Sequence, residues 1–95
     1  MTFTVYILYS ASAKRYYVGQ TNDLNIRLGL HNSGEFEGSS TKFGIPWVIF
    51  YTIECDSRQQ ALAIESHIKR MKSVKYYHSL KSYPEMVEKL KQQYC

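Results

Sequence analysis

Hydrophobic and polar positions divide the chain into segments of two different periods. "FTVYILYS" (Phe3 to Ser10) is rich in β-branched and aromatic residues, which predicts a strand. With a period of two, Val5, Ile7 and Tyr9 fall on one face and Tyr6 and Leu8 on the other. The polar stretch "ASAK" connects it to "RYYVGQ", a second strand ending at Gly19. Strands this close in sequence most simply form an antiparallel hairpin. Asn22 or Asp23 can cap a helix that begins at Leu24 and runs to about Asn32, where "NSG" stops it. "GEFEGSSTKFGIP" has loop composition. "WVIFYTIEC" is the third strand, with Pro46 just ahead of it. "SRQQ" has capping-box spacing, Ser57 as cap and Gln60 at the third helical position. The helix it opens continues through "ALAIESHIKRMK". A break from Ser73 to Ser82 is expected next. "YPEMVEKLKQQY" then closes the chain as a short helix with Pro84 in its first turn.

The expected order is β-β-α-β-α-α. This is an α/β (α+β) architecture, a small three-stranded antiparallel sheet flanked by helices, as one domain over residues 1–95. No apolar run approaches the ~18 residues of a membrane span. No secretory leader pattern opens the chain. A soluble cytoplasmic protein is therefore expected. Cys55 and Cys95 have neither ligand spacing nor a CxxC pairing, so they read as reduced thiols, and a structural zinc site is not supported.

Two helices carry polar groups on their apolar sides. Counting about 100° per residue from Leu24, Leu28 falls near ~40°, Arg27 near ~300° and His31 near ~340°, inside the arc that Leu24, Leu28, Ile26 and Leu30 bound. Asn25, Gly29 and Asn32 form the polar face. On the later helix Glu65 falls between Ala61 and Leu62, within the apolar arc, with Lys69 one turn on. An unpaired buried charge costs several kcal/mol, so such placements call for a partner. An Arg27–Glu65 ion pair between helices is one reading, and a hydrogen-bonded core position for His31 is another. A catalytic constellation is the third.

Charge favours a polyanionic partner. The net charge is +4, and Ser66 to Cys95 holds seven Lys or Arg against two Glu. Nine tyrosines lie among them and in the strands. Tyrosine beside lysine suits bases and phosphates, although strand packing accounts for most of these rings. Phosphodiester hydrolysis needs a proton acceptor for water, a cation for the growing charge and help for the leaving oxygen. Arginine offers a fork that stays charged, and one carboxylate can hold Mg²⁺ that keeps several waters. Tyrosine and histidine can handle the proton. Tyr6, Tyr17, Arg27, His31 and Glu65 are the candidates for those tasks.

"TVY" (Thr4 to Tyr6), "YVG" (Tyr17 to Gly19), "IRLGLHN" and "ALAIESHIK" occur in the order and spacing of a known signature. Across essentially its whole length the chain resembles the GIY-YIG nuclease family, and most of all its small stand-alone bacterial members. It departs from the pattern at Thr4, which replaces the first glycine, and at Gln20, where the excision-repair branch has lysine. It also has no asparagine beyond Asn32. The resemblance implies a GIY-YIG endonuclease-like fold. It implies an endonuclease that depends on Mg²⁺ (or Mn²⁺), acts on DNA by structure rather than sequence, and serves repair or processing. Tyr17 would match the base or water positioner, Tyr6 its orienting partner, Arg27 the transition-state clamp, Glu65 the single metal ligand and His31 the histidine that aids Tyr17. Gly19 would let backbone approach substrate, and Lys42, Lys69, Arg70, Lys72 and Lys75 would contact nucleic acid. A nucleic-acid-binding module with weak or vestigial nuclease activity is the alternative. So small a domain has little surface for reading base sequence, so a partner protein that supplies targeting is also expected.

Overall fold

The computed structural model of the protein describes residues 2–33 and 44–95. Among these residues three strands and four helices follow one another as β1 (Phe3–Ser10), β2 (Arg15–Thr21), α1 (Leu24–Ser33), β3 (Val48–Cys55), α2 (Arg58–Met71), α3 (Val74–Ser82) and α4 (Pro84–Gln93). The sheet order is β2-β1-β3, antiparallel on both sides of β1. Among the described residues no helix is long and apolar enough to cross a membrane.

β1 is central because it is apolar on both faces, and Thr4 to Leu8 are all buried. Val5 and Ile7 face α2, α3 and α4, where they join Val18, Ile53, Ile64, Ile68, Leu80 and Leu90 in the larger core. Tyr6 and Leu8 face the opposite way, toward Trp47, with Tyr17, Leu24 and Leu28 packed against them. The sheet thus lies between α1 on one face and the three later helices on the other. β3 carries one extra residue where its register with β1 shifts: Ile7 faces Tyr51, whereas Leu8 faces Ile49. The bulged residue, Phe50, packs beside Tyr51 on the larger core.

The segment from Ser73 to Ser82 is a helix, not the break its sequence suggests. "SVKYYHSLKS" has weak intrinsic helix propensity. Local caps and one buried anchor decide the matter. Lys72 ends α2 in the left-handed region at φ 44°, and Ser73 Oγ then accepts from the Tyr76 N–H at 3.2 Å. Leu80 is fully buried. Ser57 caps α2 as its spacing predicts, accepting from the Gln60 N–H at 3.1 Å. Gln60 is itself buried: its Oε1 accepts from the Asp56 N–H at 2.7 Å and its Nε2 donates to the Lys91 carbonyl at 3.1 Å, tying α2 to α4. Cys55 and Cys95 are free thiols, the first buried and the second exposed.

Candidate active site

The site is built at β2, the open edge of the sheet next to central β1. Tyr6 on β1 stands opposite Gly19 on β2. The ring lies across that glycine: a Cβ at Gly19 would sit 2.6 Å from Tyr6 Cζ and closer still to Oη. The space at Gly19 is therefore filled by Tyr6 rather than open to an incoming backbone or phosphate, which is a different use from the one its sequence position suggests. Held there, Tyr6 Oη lies 3.1 Å from Nε2 of His31 on the last turn of α1. Both side chains are almost fully buried, at 2% and 1% exposure.

Burial sets the chemistry of this pair. It raises the Tyr6 phenol far above the usual tyrosine range, with Tyr17 and Glu65 adding to the rise and Arg27 opposing it. Burial also lowers His31 below its ordinary value, and the nearby Arg27 charge pushes it the same way. Both groups are neutral at neutral pH. The hydrogen bond between them is made either by the phenol donating to a bare Nε2 or by Nε2–H donating to the phenolic oxygen.

Tyr17, half-buried, packs edge-on to His31 with centroids 4.8 Å apart, and lies 6.3 Å from Trp47 and 6.4 Å from Tyr6. Among the described residues His31 hydrogen-bonds to Tyr6, and Tyr17 meets the histidine through its ring. Lys69 of α2 places its Nζ 5.9 Å from the Tyr17 ring centroid and 2.8 Å from Glu65 Oε1. Where the sequence suggested an interhelical Arg27–Glu65 ion pair, the pair seen at Glu65 among the described residues is with Lys69, one turn along its own helix. Arg27, one turn before His31, is half-buried beside a depression of about 260 Å³ that Gln20, Thr21, Asn22 and Arg58 also line.

Glu65 opens on a surface groove of about 460 Å³ lined with Lys69, Arg70 and Lys72. Lys75 is exposed on the first turn of α3 and is not among the groove's lining residues. Lys42 lies outside the described residues. Among the described residues no group of three or more His, Cys, Asp or Glu could share one ion. What the groove offers a metal is a single carboxylate, a donor set that suits a hard cation retaining most of its water and does not suit zinc.

Two contributors escape the sequence pattern. Asn32, placed on the polar face by its angle, is half-buried: its Nδ2 donates to the Trp47 carbonyl at 3.0 Å while its Oδ1 accepts from the Trp47 N–H. This two-way amide clamp fixes the C-terminal end of α1, and so His31, against the start of β3. A polar amide directly after an inward His was the available signal. Arg58 joins Arg27 at the depression, and nothing in its local sequence sets it apart from a first-turn surface residue.

The family model described as the GIY-YIG catalytic domain matches residues 2–77. A UPF0213 protein of Syntrophus aciditrophicus is 35% identical over 81 residues, 85% of this chain and 92% of that protein. A UPF0213 protein of Streptococcus pneumoniae is 35% identical over 57 residues, 60% of this chain, and the match spans only 57% of the relative's length. Among solved structures, a UPF0213 protein of Bacillus halodurans, determined by solution NMR, superposes with a TM-score of 0.52 at 28% identity. That alignment covers 86% of this chain and 84% of the other, and both share the three-stranded antiparallel α+β architecture.

Proposed function

Because the chain belongs to the GIY-YIG catalytic-domain family, a family of nucleases, we propose that it is a divalent-metal-dependent endonuclease. It hydrolyses phosphodiester bonds in DNA, selects by structure rather than sequence, and acts in repair or processing. One observation carries the reading: Tyr6, Tyr17 and His31 form a single aromatic cluster, with Arg27 one turn before His31 on α1 and Lys69, the ion-pair partner of Glu65, over the Tyr17 ring. Tyr17, the more accessible phenol, positions the attacking water. His31, kept neutral by burial, is the base that can receive a proton, and Tyr6 holds its imidazole in place. Arg27 meets the charge that builds on the phosphoryl oxygens. Glu65 would hold Mg²⁺ (or Mn²⁺), which when bound polarises the phosphate and eases departure of the leaving oxygen.

Purified protein incubated with branched or flapped DNA should cut in Mg²⁺ and stop in a chelator, and Glu65→Ala and Arg27→Ala should each lower the rate at least about 100-fold. Equal cutting by wild type and Glu65→Ala would defeat the proposal. The Lys69–Glu65 ion pair supports a second reading, a nucleic-acid-binding module with weak or vestigial cleavage, since it occupies the carboxylate a metal needs. On that reading, binding falls steeply with salt, survives Glu65→Ala, and is accompanied by negligible cutting in any metal.

A further inference from the structure

On the far side of Lys72 from Glu65 lies a second groove, of about 380 Å³, which the catalytic reading leaves unused. Lys14, Arg15 and Lys72 supply three cations to it, Tyr16 and Tyr77 supply two rings, and Ser73 marks the N-terminus of α3 at its wall. No acidic side chain is among its lining residues. The two half-buried rings lie 5.3 Å apart, centroid to centroid; Tyr16 also packs against Tyr9 and Phe50 and bonds His78, which leaves Tyr77 the less engaged of the two. Lys14 and Lys72 are the two non-glycine residues with positive φ among the described residues, at 52° and 44°. Lysine is not favoured there, where asparagine or glycine would relieve the backbone. Both strained lysines thus border one groove.

Lys72 also lines the groove of Glu65, Lys69 and Arg70, so the two depressions meet at Lys72, at the end of α2. We infer that this second groove carries a single strand of nucleic acid away from the candidate active site. Lys14, Arg15 and Lys72 would hold its phosphates, and Tyr16 or Tyr77 would stack on a base. The inference rests on the nucleic-acid reading above and extends it: the favoured substrate has an unpaired strand next to the point of attack. Cations without acidic neighbours attract a phosphate backbone of any sequence, and a tyrosine face accepts any base. A paired duplex cannot offer a base face to those rings, whereas an unpaired strand can.

The test uses fluorescein-labelled twenty-nucleotide oligo-dT and oligo-rU, and a blunt duplex of equal length, titrated by anisotropy in chelator. The variant K14N/R15Q/K72N removes three charges and places asparagine at both positive-φ sites. It should melt at or above the wild-type temperature. Oligo-dT affinity should fall at least about tenfold at low salt, and the log-log salt slope should shrink by about 2, close to 0.7 per lost phosphate contact. Duplex affinity should change less. Equal losses for dT and rU identify strand character alone as the ligand, while loss for one only shows that the groove also reads the sugar or the thymine methyl. A photo-crosslink from 5-iodouracil should map to Tyr16 or Tyr77. Wild-type affinity and slope in the folded triple variant, or crosslinks only at other residues, would overturn the groove. Wild-type protein that cuts nothing yet loses strand binding in the triple variant keeps the groove and removes the nuclease. Cutting that needs Glu65 while strand binding ignores the triple variant does the reverse.

Discussion

Replacing Gly19 with alanine is the sharpest available test of how the site is assembled. The added methyl carbon would lie 2.6 Å from Tyr6 Cζ and 3.1 Å from Cε2, with Oη nearer than either. These are the far atoms of a side chain, so a flexible residue would swing clear at small cost. Tyr6 cannot: it sits on the central strand at 2% exposure, and its hydroxyl is tied to His31. The ring must tilt or β2 must move away from β1. Overpacking of this kind costs about 1–3 kcal/mol, and loss of the buried hydrogen bond adds about 1 kcal/mol. A total near ~3 kcal/mol in a chain of this size lowers the melting temperature by about 12–24 °C. Urea unfolding followed by circular dichroism measures the change. Tyr6→Phe removes the nearest colliding atom, so it should cost less in the Gly19→Ala background than in wild type, a positive coupling on a double-mutant cycle. Gly19→Ala within about 0.5 kcal/mol of wild type would refute the close approach and the pinning of Tyr6.

Three further outcomes follow from the same geometry. His31 is held below its ordinary value of 6.5, first by burial and then by Arg27; stability is therefore full above that pH, and as pH falls below it the unfolded chain binds a proton the folded one refuses. The loss runs at up to about 1.4 kcal/mol per pH unit until the folded value is reached, and a urea midpoint for wild type that changes no more with pH than that of His31→Asn would contradict it. Asn32→Ala breaks both hydrogen bonds to the Trp47 backbone and should cost about 1–3 kcal/mol, with the Trp47 emission shifted to the red; unaltered emission and midpoint would remove the clamp. Lys69→Met cuts a half-exposed i,i+4 pair worth about 0.5 kcal/mol at most, so melting should barely change, while the Mg²⁺ concentration needed for half-maximal cutting should drop as Glu65 is released; an unchanged requirement would mean that the pair does not compete with the metal.

The strands, α1, α2 and the closing helix were legible because each announces itself by period and cap: β1 by unbroken apolar residues, α2 by Ser57 and Gln60. α3 was not, since Val74 to Ser82 mixes β-branched, aromatic and serine residues whose helicity depends on Leu80 finding a buried slot that no local window displays. At the site, the inward angles of Arg27, His31 and Glu65 were readable, but their partners were not. Helical angles predict which side a residue faces, not whether Glu65 turns to Arg27 across the fold or to Lys69 one turn away. Asn32 shows the same limit from the other side, because its angle is that of a solvent residue while the start of β3 folds over it.

The sheet order explains why these polar residues sit inward on helices from opposite faces. α1 lies against the Tyr6–Leu8 face and α2 against the Val5–Ile7 face, so in the middle of a sheet their side chains could not meet. Among the described residues β2 is an edge strand, and side chains of both helices reach its Tyr17, Lys69 from α2 and His31 from α1. Lys69 from α2 comes over Tyr17, a ring that packs on the α1 face. Arg27 from α1 and Glu65 from α2 act on the Tyr6 phenol with opposite sign. Burial raises the Tyr6 phenol most and Tyr17 next, while Arg27 opposes that rise and Glu65 adds to it. A fourth strand paired outside β2 would close this edge and separate the two charges. The hairpin, which among the described residues leaves the outer side of β2 without a strand neighbour, is therefore as much a part of the site as the residues named in it.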